Sequence, residues 1–197
     1  MGCVGRWPHS GELLNLDEFT ALARTRRTSL AVKPDVAVAH ETVQALCELA
    51  QFAPNHKRTW PWRFALAEGE GRARLGNVVA DAMEAHGDPP EKVSQRRQKY
   101  LRTPAVLIVG SAIGDSEMRT AENRDAVAAG VENILLAATA HGLASFWSSC
   151  PKGTNDVTAA LCGFEPDTTI VAIIYLGWAT DPAPTPPRPA TQLNIID

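Results

Sequence analysis

Apolar positions recur with a helical period in the first quarter of the chain, then as unbroken runs further on, and this alternation lays out the elements. A helix opening after Asn15, a side chain able to cap free amides, carries Leu16, Phe19, Leu22 and Ala23 and ends near Arg26. Lys33-Pro34-Asp35 marks a turn. Val43, Leu46, Leu49 and Ala50 then put one apolar stripe on a second helix from about Ala39 to Phe52, which Ala53-Pro54 stops. Trp62 to Ala67 has the pattern of a strand and Gly69 to His86 that of a helix, while 88–103 is so polar that it predicts a solvated helix or flap. Thr103 to Ala112 is a buried strand, followed by a long helix from about Thr120 to His141. Within it, 126–140 contains a single charge, Glu132, so nearly every face needs cover. Leu143 to Ser149 predicts a short strand, Thr154 to Cys162 a helix, and Thr169 to Leu176 an Ile/Val-rich strand closed by Gly177. Residues 1–14 show no period and read as a flexible arm. Pro182, Pro184, Pro186, Pro187 and Pro189 forbid helix and sheet interior, making 178–197 an extended arm.

Helices and strands interleave at irregular intervals, which favours one domain over 1–197 of the α+β class, a three-layer α/β/α sandwich with a mixed, mainly antiparallel sheet. A helix as apolar as 126–140 is easiest to cover with a second subunit, so a homodimer is expected. Composition changes this picture little. A 45% hydrophobic chain with a net charge of −3 and pI near 6.0 attracts neither nucleic acid nor an anionic membrane through its overall field, so any anion site must be local. Cys3, Cys47, Cys150 and Cys162 form no C-x-x-C pair and have no histidine at metal-ligand spacing, which predicts reduced thiols, no metal and a cytoplasmic location. No apolar run nears the roughly 20 residues that span a bilayer, and Arg6 stands where a myristoylation signal needs Ser or Thr.

Three constellations could carry chemistry. Arg26-Arg27-Thr28 joins two guanidiniums, which fork onto phosphate oxygens, to a hydroxyl donor; the same arginines also suit a helix C-terminus, whose dipole they complement. Asn55-His56-Lys57, on the loop after a helix stop and before Trp60-Pro61-Trp62, could rim a ring-shaped ligand, or be an ordinary connector. Trp147-Ser148-Ser149 ends a strand with an indole and two hydroxyls, suited to the edge of a heteroaromatic ring or simply to a strand end with a core tryptophan. Cys150 beside them has no basic neighbour in sequence and reads as an inert thiol. Gly69, Gly71 and Gly76 miss the G-x-G-x-x-G spacing, and no serine lies in a G-x-S-x-G elbow.

In their order along 16–178 these motifs resemble the nitroreductase family, especially its small single-domain branch. The resemblance rests on Arg26-Arg27-Thr28, on Ala53 to Lys57 with Pro61-Trp62-Arg63-Phe64, on Ala128-Ala129-Gly130, on Gly142 to Ser149 and on Ile170 to Gly177. It implies an FMN-dependent NAD(P)H oxidoreductase, a homodimer with the flavin at the subunit interface. Such an enzyme passes hydride through flavin N5 to a small acceptor such as a nitroaromatic or quinone, with no general acid from the protein. By the same resemblance Arg26, Arg27 and Thr28 hold the phosphate and ribityl chain, and Arg188 adds a C-terminal cation. Asn55 and His56 approach from the partner, and Trp147, Ser148 and Ser149 lie by the phosphate or ring. Leu30-Ala31 and Ser148 stand where relatives place a cation near flavin N1, so His56, Lys57 or Lys33 is expected to substitute, or else reduction is slow. A storage or sensing protein that binds FMN with little turnover is the alternative.

Overall fold

The computed structural model describes residues 14–196, so all but the last residue of the arm expected over 1–14, with Cys3, lies outside the described residues. The elements in chain order are α1 (Leu16–Thr25), α2 (His40–Ala50), β1 (Trp62–Glu68), α3 (Glu70–Ala85), α4 (Pro90–Lys99), β2 (Ala105–Ser111), α5 (Glu117–Ala140), β3 (Leu143–Ser148), α6 (Asn155–Leu161) and β4 (Thr169–Trp178). Asn15 caps α1 as its chemistry suggests. Its side chain accepts from the Glu18 amide and the Glu18 carboxylate answers on the Asn15 amide, a reciprocal pair that satisfies two free donors. Helix α5 starts at Glu117, three residues before the expected Thr120, because Ser116 caps it through the Arg119 amide.

The four strands lie in the order β1-β2-β4-β3, every neighbour antiparallel. The parallel part of the expected mixed sheet is a single bridge, Thr28 to Ser145, on the outer edge of β3. Helices cover both faces. Leu107 and Val109 of β2 meet Val43, Leu46, Val127, Val131 and Ile134 of α2 and α5. The alternate residues Val106 and Ile108 meet Leu75, Val79 and Met83 of α3, with Val93 of α4. Burial on both faces is why β2 reads as an unbroken apolar run although its neighbours are antiparallel.

Helix α5 finds much of its cover in its own chain. Ala126, Val127, Gly130, Val131, Ile134, Leu135 and Ala138 are buried, and Gly130 lies where an added Cβ would stand 2.6 Å from both the Ala50 carbonyl oxygen and Trp62 Nε1. That glycine lets α5 press onto α2 and the start of β1. What remains open is a narrow stripe with Ala129, Glu132 and Ala140 exposed and Ala128 and Leu136 half-buried. The polar segment 88–103 contains a regular helix rather than a flap: Val93 and Tyr100 are buried, the latter stacked on Tyr175 with ring centroids 5.9 Å apart.

Candidate functional site

The segment after α1 leaves the helix and docks on the free edge of β3. The Ser29 amide donates to the Ser145 carbonyl at 2.9 Å, next to the Thr28 bridge, and Val32 pairs with Ala179 at the end of β4. This fixes the two arginines beside the sheet. Arg26 turns toward α5, where its Nε lies 3.3 Å from a Glu132 oxygen. Arg27 turns toward the C-terminal arm: Nη2 donates to Thr185 Oγ1 at 2.5 Å and Nη1 to the Arg26 carbonyl at 2.6 Å, while its buried Nε has no hydrogen-bond partner.

The arm runs extended over 180–196, as its prolines dictate, and lies against this segment. Between them are two adjoining clefts. One, of about 660 Å³, is lined by Ala23, Arg24, Arg27, Thr185 to Pro187 and Arg188. The other, of about 380 Å³, is lined by Arg26, Arg27, Thr28, Arg188 and residues 183–186. Four of the residues singled out in the sequence thus converge, and Arg24 joins them. Three guanidiniums and a threonine hydroxyl around the second cleft, one guanidinium nitrogen unpartnered, make an anion-binding donor set.

Asn55 and His56 lie elsewhere. The Asn55 side-chain oxygen accepts from the Trp60 amide at 3.0 Å, and its amide group donates to Thr59 Oγ1. His56 Nδ1 lies 3.0 Å from both Glu122 Oε1 and Arg119 Nη1 at the start of α5. Glu122 and Glu132, the latter facing Arg26, are ten residues apart on that helix, about 15 Å at roughly 1.5 Å per residue. One chain therefore does not bring the Asn55–His56 loop to its own arginines. The loop is held in an uncommon backbone: Lys57, Arg58 and Trp60 have φ of 63°, 53° and 50°, in the left-handed region that non-glycine residues occupy at a cost. Its tip presents Trp60, 56% exposed.

At the end of β3, Trp147 is exposed on one side, its indole N–H donating to the Val171 carbonyl at 3.3 Å. Ser149 is exposed and Ser148 half-buried. Ser148 has a neighbour that sequence reasoning missed: Lys99 Nζ of α4 lies 3.4 Å from its Oγ. The sequence separation of 49 between the two leaves no local signal of this contact. Cys150 is occupied within its own loop, its Sγ 3.2 Å from Thr154 Oγ1. Lys33, one of the expected substitutes for the missing cation, is exposed and tied down by its backbone amide to the Trp178 carbonyl. Among the described residues no helix is long and apolar enough to cross a membrane.

A doubly covered α+β sandwich with an arginine-lined cleft along the free edge of its sheet is the class that fold and site together define. The chain belongs to the Nitroreductase family, whose model matches residues 23–178. At 26% identity over 184 residues, covering 92% of this chain and 96% of the other, it is similar to YdjA of Escherichia coli (strain K12), a protein provisionally named an NAD(P)H nitroreductase. It is also 26% identical over 200 residues to the nitroreductase NfnB of Mycolicibacterium smegmatis, covering 82% of this chain and 83% of that protein. Among solved structures, a nitroreductase-like family protein from Bacillus cereus matches with a TM-score of 0.74 at 26% identity, over 93% of this chain and 98% of that one. The FMN-dependent NfnB from Mycobacterium smegmatis, solved in complex with NADPH, shares the fold with a TM-score of 0.69 at 22% identity, over 89% and 97%.

Proposed function

We propose that this protein is an FMN-dependent NAD(P)H oxidoreductase, active as a homodimer, that reduces nitroaromatics, quinones or similar electrophilic acceptors. The observation that carries the reading is the convergence of Arg26, Arg27, Thr28 and Arg188 on one cleft, with the buried Nε of Arg27 left without a partner. An orphaned guanidinium donor on an arginine that lines a cationic cleft fits a phosphate monoester, the charged end of FMN. Family membership and the FMN-dependent, NADPH-bound NfnB structure support the same cofactor and donor.

In this reading Arg27 and Arg188 hold the phosphate and Thr28 offers its hydroxyl beside it. The Thr28–Ser145 bridge fixes them against β3, so an elongated ligand gripped there runs along the sheet edge toward Trp147, Ser148 and Ser149. Bound FMN supplies the hydride chemistry, taking two electrons from NAD(P)H and giving them to the acceptor. The chain contributes orientation and electrostatics rather than a general acid. The roughly 15 Å separation along α5 supports the dimer: the Asn55–His56 loop and Trp60 reach a flavin only if a second copy brings them to it.

The test is the visible spectrum of the purified protein with its released cofactor identified by mass, followed by anaerobic titration with NADPH and addition of a nitroaromatic or a quinone. The expected result is a yellow dimer releasing FMN, bleached by NADPH and recoloured by the acceptor. A colourless protein that takes up no added FMN refutes the cofactor. A yellow protein that NADPH does not bleach refutes the oxidoreductase and leaves storage or sensing.

A further inference from the structure

Helix α4 carries a lysine that no carboxylate answers. Among the described residues the ion pairs formed by acidic groups leave out Arg96, Lys99 and Arg102, all on α4 or the turn that follows it. Arg96 Nη1 is buried without a hydrogen-bond partner. Lys99 Nζ is held 6.0 Å from the centroid of the Phe146 ring and 3.4 Å from Ser148 Oγ. Alternation along β3 puts Phe146 and Ser148 on the face that α4 covers and Trp147 on the other. Burial, and then the charges of Arg96 and Arg102, push the Lys99 ammonium below its ordinary pKa. A half-buried cation crowded by like charges is stabilised by any negative charge that arrives in front of it.

Its position says which charge. Ser145, pinned by Thr28, is three residues from Ser148 on the same edge strand, about 10 Å at roughly 3.3 Å per residue. The arginine cleft and Lys99 therefore mark two separate stations along one edge, and a ligand whose phosphate occupies the first has its far end near the second. We propose that Lys99 faces the redox-active ring of the bound flavin and stabilises the negative charge the ring gains on reduction; this rests on the FMN reading above. Hydride from NAD(P)H brings two electrons and one proton, so a neutral ring leaves the step with one negative charge and the nicotinamide with one positive. Lys99 thereby fills the role for which the sequence pointed to Lys33, His56 or Lys57, and it comes from a helix that the sequence marked only as solvated.

The experiment compares wild type, Lys99→Met and Lys99→Arg by FMN titration, read from quenching of flavin fluorescence, and by the midpoint potential of the bound flavin. All three should bind oxidised FMN within threefold of one another. Lys99→Met should lose at least tenfold in affinity for reduced relative to oxidised flavin, a fall of about 30 mV for a two-electron couple. Lys99→Arg should recover most of it. If the methionine impairs folding, Lys99→Gln gives the same contrast. A neutral variant with the wild-type potential overturns the proposal. A wild-type protein that binds no FMN overturns the reading on which it rests.

Discussion

Replacing Arg27 by glutamine separates the two things its guanidinium does. In the structure it straps the C-terminal arm through Thr185 and leaves Nε free beside the cleft. A hydrogen bond to a charged group contributes about 1.5–3 kcal/mol. At about 1.4 kcal/mol per decade, loss of one phosphate contact weakens FMN binding roughly tenfold to a little over a hundredfold. The strap itself is an exposed bond to a hydroxyl, worth about 1 kcal/mol at most, which for a chain of this size lowers Tm by about 2–4 °C. The assay is fluorescence titration of the apoprotein with FMN, alongside thermal unfolding without FMN. Arg24→Gln provides the comparison, because Arg24 lines the same cleft from an exposed position and contributes only a screened charge. Its loss should weaken binding less than tenfold. An Arg27→Gln protein that binds FMN within threefold of wild type would refute the assignment of the cleft to the phosphate, whatever happens to Tm.

Gly130→Ala gains about 1 kcal/mol of helix propensity, yet its Cβ would stand 2.6 Å from a backbone oxygen and 2.6 Å from a buried indole nitrogen. Overpacking costs about 1–3 kcal/mol, so a net loss with a lower Tm is expected, and a rise in Tm would sink the account of the α2–α5 contact. The Cys47 thiol, pushed up to about 12 by burial, should resist a thiol reagent in the native protein and react once denaturant is added; rapid native labelling would contradict the packing of α2. His40 is held above its ordinary value of 6.5 by Glu68, whose oxygen lies 2.7 Å from Nε2. A raised folded pKa gives stability that is fully present below 6.5 and lost as pH rises through the raised value. Wild type should therefore melt above His40→Gln on the acid side and match it on the alkaline side, and a difference of the opposite sign would count against the pair.

Much of this fold was legible because local and global preferences agree. Asn15 followed by Glu18 is a start signal that works within one turn, and β2 announces itself because both faces are apolar. The helix over 90–99 was harder to place: Arg96, Arg97 and Lys99 mask a buried face made by Val93 and the following Tyr100, and pattern alone gives charge more weight than two scattered apolar residues. The apolar surround of α5 was legible, but not its cover, since that depends on how closely α2 can approach at Gly130. Of the candidate site, Arg26 to Thr28 stood out by chemistry, whereas Arg188 entered only through family resemblance because an exposed arginine among prolines has no pattern of its own. Lys99 was invisible, being brought to Ser148 by the packing of α4 on β3 across 49 residues.

The short segment from Thr28 to Lys33 has a bearing on how the protein behaves at high concentration. Without it, β3 would present a bare row of amides and carbonyls, a template for strand addition by another chain. The Ser29 amide meets the Ser145 carbonyl on β3, while the Thr180 amide meets the Ala31 carbonyl and the Lys33 amide meets the Trp178 carbonyl at the end of β4, so the ribbon that carries the arginines covers that border at Ser145 and is fastened to the neighbouring strand. Changes that loosen the ribbon to alter ligand preference would then unmask a sticky margin, and engineered variants of this cleft should be screened for aggregation as closely as for turnover.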